Sequence, residues 1–201
     1  RNVINILVEG LKRLEYRGYD SSGIAALNNK SELEVVRSVG KIEALEKKLK
    51  KIHVESHVGI GHTRWATHGA PTERNAHPQI SNNSIALIHN GIIENHEELR
   101  AKLVKEGFKF KSDTDTEVIA HLIYKHLQKN KFLVAVHKAI KELKGAYALA
   151  IISAQEPDKI IAVRCGSPVV IGVGIEENFV ASAASALLPV TSRFIYLEEG
   201  D

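Results

Sequence analysis

Eight consecutive residues, His62-Thr63-Arg64-Trp65-Ala66-Thr67-His68-Gly69, set a permanent cation, an indole, a hydroxyl and two imidazoles directly after the apolar run Val58-Gly59-Ile60-Gly61. Loops at strand ends are where scaffolds hold binding groups, and a guanidinium presents a planar fork suited to a carboxylate. A small carboxylate ligand is one reading. The other is that Arg64 pairs with an acid of the protein while the histidines satisfy backbone groups. A second group, His89-Asn90-Gly91, follows the strand-like Ser84-Ile85-Ala86-Leu87-Ile88. Asn-Gly after a strand commonly marks a tight turn. An Asn amide beside a Gly N–H is also a pair of donors able to hold an oxyanion. A third, Lys111-Ser112-Asp113-Thr114-Asp115-Thr116-Glu117, opens a long apolar-periodic run. Thr114 and Glu117 have capping-box spacing and carboxylates suit a helix start. Two aspartates exceed what capping requires, which leaves one for a ligand ammonium. The fourth, Tyr16-Arg17-Gly18-Tyr19-Asp20-Ser21-Ser22-Gly23, reads as a glycine-dependent helix-to-strand connection, but that role does not explain Arg17.

The elements that carry these groups follow from periodicity. Residues 2–15 repeat apolar side chains at helical spacing, 21–27 and 33–39 read as strands, and 42–49 as a helix. The proline-punctuated stretch 70–78 is a loop. Residues 92–107 read as a helix capped by Asn95 with Glu98 completing the pattern, followed by helices over 118–127 and 132–143. Strands are expected at 146–153, 159–163, 168–171, 178–181 and 193–197, close enough for antiparallel pairing. Strands, helices, then strands in one domain argue for stacked mixed layers.

Composition excludes several classes. The 201 residues are 44% hydrophobic, enough for one domain with a real core, and 27 basic against 24 acidic residues leave a net charge of only +3. The lysine-rich runs are interleaved with Glu or helix-spaced apolar residues and read as solvated faces, so neither nucleic acid nor a membrane surface is the expected partner. One cysteine, Cys165, excludes an internal disulfide and a multi-cysteine zinc site and fits a reducing compartment. No apolar run approaches the ~18 residues a membrane span needs and no signal peptide is evident, so the expected localisation is cytoplasmic. The ten histidines invite a metal, but no His-x-x-x-His helix pair or cysteine partner accompanies them, and neither metal nor other cofactor is expected. The chain holds no methionine and starts within a helical pattern, so it is expected to be cut at both ends.

Together these four motifs resemble the glutaminase domain of the glutamine:fructose-6-phosphate aminotransferase family of class II glutamine amidotransferases. The resemblance spans residues 1–201 and includes Arg164-Cys165-Gly166-Ser167-Pro168 and the closing Leu197-Glu198-Glu199-Gly200-Asp201. It implies an α+β, N-terminal-nucleophile hydrolase fold, a four-layer αββα sandwich with two antiparallel sheets. It also implies that a cysteine at the mature N-terminus attacks the side-chain amide of L-glutamine. Its own α-amine, with a pKa near ~8, would serve as the base, and ammonia is released before water hydrolyses a glutamyl thioester. Carried over, Arg64 would pair with the substrate α-carboxylate, helped by Trp65, Thr67 and His68. Asp115 would hold the α-ammonium, Asn90 and the Gly91 N–H would form the oxyanion hole, and Arg17 would order the wall beside the nucleophile.

The resemblance further implies a sugar isomerase domain that receives the ammonia, makes glucosamine 6-phosphate and lies outside these residues, and a homo-oligomer as the full-length enzyme. Trp65 would close the pocket and gate ammonia passage, the alternative being a core aromatic. The family's nucleophile begins a short strand ahead of the position matched by Arg1, and Cys165, internal and without a free α-amine, does not replace it. As written, the chain is expected to bind glutamine weakly and not to hydrolyse it. The alternatives are the glutaminase domain of another amidotransferase, such as amidophosphoribosyltransferase, a non-catalytic glutamine-binding domain, and a histidine-rich metal protein.

Overall fold

The computed structural model describes residues 2–52, 55–66 and 69–201. The first helix, α1 (Val3–Leu14), opens on Asn2, whose side chain accepts from the Ile4 N–H at 3.2 Å, and buries Ile4, Val8 and Leu11 along one stripe. A single 3₁₀ turn, Glu15–Arg17, leads to β1 (Ser21–Asn28), then β2 (Leu33–Val39), α2 (Ile42–Leu49) and β3 (Ser56–Arg64). These strands form an antiparallel sheet in the order β2-β1-β3. Alternation along β1 sends Ile24 and Ala26 toward α1 and α2 and sends Ala25 and Leu27 the other way.

A second antiparallel sheet, β4-β5-β6-β7, comprises β4 (Gln79–Ser81), β5 (Ile85–Ile93), β6 (Gly145–Ser153) and β7 (Ile160–Cys165). Its inner face, including Ala86, Ala150 and Ile152, packs on Ala25, Leu27 and Ile60 of the first sheet. Its outer face carries α3 (His96–Lys105), α4 (Asp115–Leu127) and α5 (Phe132–Ile140), with the largest core cluster between them, including Phe132, Leu122 and Ile123. The layers are therefore helix, sheet, sheet, helix, as the α+β αββα expectation requires. A third sheet, β10-β8-β9, is made of β8 (Val170–Val173), β9 (Asn178–Ala181) and β10 (Phe194–Tyr196). The two-sheet expectation is thus modified in strand pairing.

Three local expectations need correction. Strand β5 does not stop at Ile88: it runs through His89-Asn90-Gly91 to Ile93, with Gly91 opposite Tyr147, so Asn90-Gly91 is no hairpin turn and α3 starts only at His96. Strand β3 likewise continues through His62 to Arg64, which lies opposite Ser21. Asn95 occupies the cap position of α3 but makes no capping bond. Its amide donates to the Glu142 carbonyl and accepts from the Lys144 N–H, both at 2.9 Å, tying the α3 entrance to the start of β6.

Candidate active site

A cavity of about 440 Å³ runs between the outer edge of β3 and the outer edge of β9. Leu7 and Leu11 of α1 line it on one side and Ile88 and Ala150 of the second sheet on the other. One end changes character, because Arg64, Trp65, Asn90, Gly91 and Asp115 all line the same cavity there. Residues from β3, β5 and the start of α4 thus converge, although they stand far apart in sequence.

Arg64 ends β3 and is only 3% exposed. Its guanidinium donates to the carbonyls of Gly69 and Ala70 at 3.2 and 3.4 Å, which fixes the segment after the strand. Burial pulls its pKa down, and the negative charges of Asp115 and Asp20 oppose that. Asp20 also accepts from the Ala66 N–H at 2.8 Å, so the turn before β1 holds the backbone after Trp65. Trp65 is not the core aromatic of the alternative reading: it is 58% exposed and meets Tyr19 edge to face with ring centroids 5.7 Å apart. Thr67 and His68 lie outside the described residues. Arg17 lines the cavity from the 3₁₀ turn, donating to the Tyr16 hydroxyl at 2.9 Å with its guanidinium over the Tyr16 ring.

The two aspartates separate cleanly. Asp113 is exposed and pairs with Arg74 at 2.7 Å and with the Asn75 amide at 3.2 Å. The Asn75 hydrogen bond holds its pKa below the ordinary carboxylate value, against a small desolvation and with help from Arg74. Asp115 is 4% exposed, lines the cavity and accepts from the Ile93 N–H at 3.0 Å and the Thr116 hydroxyl at 3.4 Å. It sits at the positive end of α4, where a carboxylate is favoured. Thr114 caps that helix as expected, accepting from the Glu117 N–H. Glu117 does not reach back to complete the box: its carboxylate takes the N–H groups of Lys111 and Ser112. Burial would raise its pKa, but those bonds and His121 hold it low.

Gly91 has φ +121°, and a Cβ there would lie 2.1 Å from the Ala146 carbonyl oxygen. No other residue type fits, and the unusual backbone reorients the peptide in the middle of a strand. Three histidines that the sequence reading left without a role gather behind Asn90. The His62 Nε2 lies 2.8 Å from Asn90 Oδ1. The His62 and His77 rings approach with centroids 4.4 Å apart, and Thr116 Oγ1 bridges His77 Nε2 and His89 Nδ1 at 3.0 Å each. Burial pushes His62 down to about 4, with the charges of His89 and Arg64 assisting and the Asn90 bond and a weaker contact with the His89 backbone opposing. His77 is pushed well below its usual value by burial and by the charges of His62, His89, Arg64 and Arg37. The signal for this cluster was the continuation of the inward-facing alternation Val58, Ile60 into His62 and Arg64.

Among the described residues no group of three or more His, Cys, Asp or Glu side chains is arranged to hold a metal ion. Cys165 is partly buried with its thiol 3.6 Å from the Gly145 carbonyl oxygen, and it is not among the residues that line the cavity. Among the described residues no helix is long and apolar enough to cross a membrane.

Comparison with known proteins bears on this geometry. A sequence profile described as a glutamine amidotransferase domain matches residues 20–198. The glutamine–fructose-6-phosphate aminotransferase [isomerizing] of Pseudomonas aeruginosa is 57% identical over the whole chain, and that of Francisella tularensis is 56% identical, also over the whole chain. The chain spans about 33% of the length of each of these curated relatives. Among solved structures, the glutamine phosphoribosylpyrophosphate amidotransferase from B. subtilis, complexed with ADP and GMP, superimposes with a TM-score of 0.79 at 30% identity, covering 97% of this chain and 42% of that one.

Proposed function

The chain belongs to the glutamine amidotransferase domain family, and from that premise we propose that residues 1–201 belong to the glutaminase domain of an isomerizing glutamine:fructose-6-phosphate aminotransferase. The observation that carries this reading is the convergence, at one end of one cavity, of a buried guanidinium, a buried carboxylate and the Asn90-Gly91 pair. L-Glutamine undergoing attack at its side-chain amide presents a carboxylate, an ammonium and a developing oxyanion, one for each. Arg64 pairs with the first, Asp115 with the second, and the Asn90 amide and Gly91 N–H with the third. Trp65 adds to the substrate wall, and Thr67 and His68, expected to help it, lie outside the described residues. The identity of 57% to aminotransferases of this kind, against 30% to the phosphoribosylpyrophosphate enzyme, favours the hexosamine-forming branch.

The nucleophile enters on an extended segment seated in the cavity between the edges of β3 and β9, with its first residue, a cysteine, at the polar end. The outer strands β3 and β9 of two sheets, with apolar walls on both faces of the cavity between them, suit such a strand. The cysteine sulfur attacks the amide carbon while its α-amine takes the thiol proton. The tetrahedral oxyanion collapses to a thioester as that proton leaves with ammonia, and water then releases glutamate. Arg17, stacked on Tyr16 beside the cavity, steadies the wall around the sulfur. The exposed Trp65–Tyr19 pair at the mouth closes over the substrate and gates ammonia toward a partner sugar isomerase domain, which uses it to make glucosamine 6-phosphate. The full-length enzyme is proposed to be a cytoplasmic homo-oligomer. The test is ammonia and glutamate release from L-glutamine by the protein bearing the cysteine segment, with D-glutamine as control. Equal turnover of both enantiomers, or of neither, would sink the proposal.

A further inference from the structure

We propose that His62 is a positioning residue that sets which way the Asn90 amide points. The inference rests on the reading of Asn90 as an oxyanion donor. Inward-facing residues of β3 and β5 meet across the two-sheet core, and along most of its length that meeting is apolar, with Ile60 and Ala86 in one cluster and Ile88 packed against it. At the cavity end the same faces continue as His62 and Asn90, joined by the 2.8 Å contact between Nε2 and Oδ1. An amide oxygen only accepts, so in this arrangement His62 carries its proton on Nε2 and the Asn90 NH₂ is left for the cavity that Asn90 lines.

The alternative is to flip the amide and move the imidazole proton to Nδ1. That choice is disfavoured by the surroundings. Among the described residues, His62 Nδ1 is buried and makes no hydrogen bond of good geometry, and the His89 backbone offers the ring only the weakest of its polar contacts, so a proton there would be a poorly satisfied buried donor. The flip would also aim the Asn90 carbonyl oxygen at the developing negative charge. The His77 ring, 4.4 Å from that of His62 and tethered through Thr116, keeps the imidazole from turning. The brace therefore runs from α4, next to Asp115, to the amide on β5, and couples two parts of the substrate site through side chains that need not touch the substrate.

The test has two readouts. The first is the ¹⁵N spectrum of His62 in this chain near neutral pH, which is expected to show the Nε2-protonated tautomer. An Nδ1-protonated ring would overturn the inference without any bearing on glutamine chemistry. The second uses the protein bearing the cysteine segment, with His62→Leu and His62→Gln compared. Since deleting an oxyanion donor outright costs roughly 10²- to 10³-fold in kcat, a misaimed one is expected to cost about 10- to 100-fold in His62→Leu, with KM for glutamine within about twofold. His62→Gln, which keeps an N–H at similar reach, is expected to recover most of that loss. A His62→Leu variant with unchanged kcat would refute the positioning role, as would a loss confined to KM. Loss of turnover in Asn90→Ala beside a silent His62→Leu would do the same while leaving the oxyanion reading intact. Silence in both would bring down the oxyanion reading itself.

Discussion

Asp115→Asn separates recognition of the ammonium from support of the fold. The carboxylate is 4% exposed and already accepts the Ile93 N–H at 3.0 Å and the Thr116 hydroxyl at 3.4 Å, which leaves acceptor capacity facing the cavity. An asparagine keeps its oxygen on Ile93 and so turns its NH₂ toward the ammonium, replacing a charge-assisted hydrogen bond with a donor facing a donor. Such a bond is worth about 1.5–3 kcal/mol, or roughly ten- to a hundredfold in affinity. Stability is expected to fall as well, since a buried charge at the α4 N-terminus is worth up to ~2 kcal/mol and Asp115 also faces the buried Arg64 charge, so the substrate comparison, not the loss alone, separates the two roles. The assay is ammonia release by the cysteine-bearing protein from L-glutamine and from glutaramate, the same amide without the α-amine. Asp115→Asn is expected to lower kcat/KM for glutamine roughly ten- to a hundredfold and to leave glutaramate within about twofold. Equal losses on both substrates would mean that Asp115 only shapes the fold, and the ammonium assignment would fall.

Arg64→Lys keeps the charge but loses the fork that spans the Gly69 and Ala70 carbonyls, and is expected to raise the glutamine concentration for half-saturation roughly ten- to a hundredfold; unchanged saturation would count against the carboxylate assignment. Gly91→Ala, which drives a Cβ to 2.1 Å from the Ala146 carbonyl oxygen at φ +121°, is expected to cost more than ~4 kcal/mol in denaturant unfolding, and a loss under ~1 kcal/mol would contradict the strained geometry. Stability is expected to fall with acid before the carboxylates titrate. His62, at about 4 in the fold, and His77, held low by burial and by neighbouring cationic charge, bind protons more readily when unfolded, where a histidine titrates near ~6.5. Their contribution is complete above ~6.5 and shrinks as pH falls toward about 4, by up to ~1.4 kcal/mol per pH unit for each. Replacing both with glutamine should flatten this part of the stability profile, and an unchanged slope would refute the assignment.

The apolar framework was legible because burial imposes a period. β2, α2 and β9 occupy the residues that periodicity alone predicts. Legibility failed where strands enter the site. In β3 and β5 the apolar alternation ends at Ile60 and Ile88, so a pattern of burial ends the strands there, yet the backbone ladder continues to Arg64 and Ile93 because β1 and β6 supply partners regardless of side-chain type. The sandwich edge is where pairing and apolar burial part company, and polar groups sit there because the cavity opens between strand edges. Asn95 shows the same limit locally. Its spacing to Glu98 satisfied a capping rule, but Lys144 and Glu142, almost fifty positions away, offered it better partners. Arg64, Asp115, Asn90 and Gly91 were legible by chemical type and do line one cavity. His77 and Thr116 were not, since each matters only through the ring or hydroxyl it touches.

The most direct test of the central claim is the site of modification by an electrophilic glutamine analogue, mapped by intact mass and peptide sequencing on the protein bearing the cysteine segment. The expected result is one equivalent, carried by the N-terminal cysteine of the segment proposed to lie between β3 and β9, suppressed by L-glutamine, with Cys165 untouched. Labelling of Cys165, or no labelling of a protein whose N-terminal cysteine is intact and free, would contradict it.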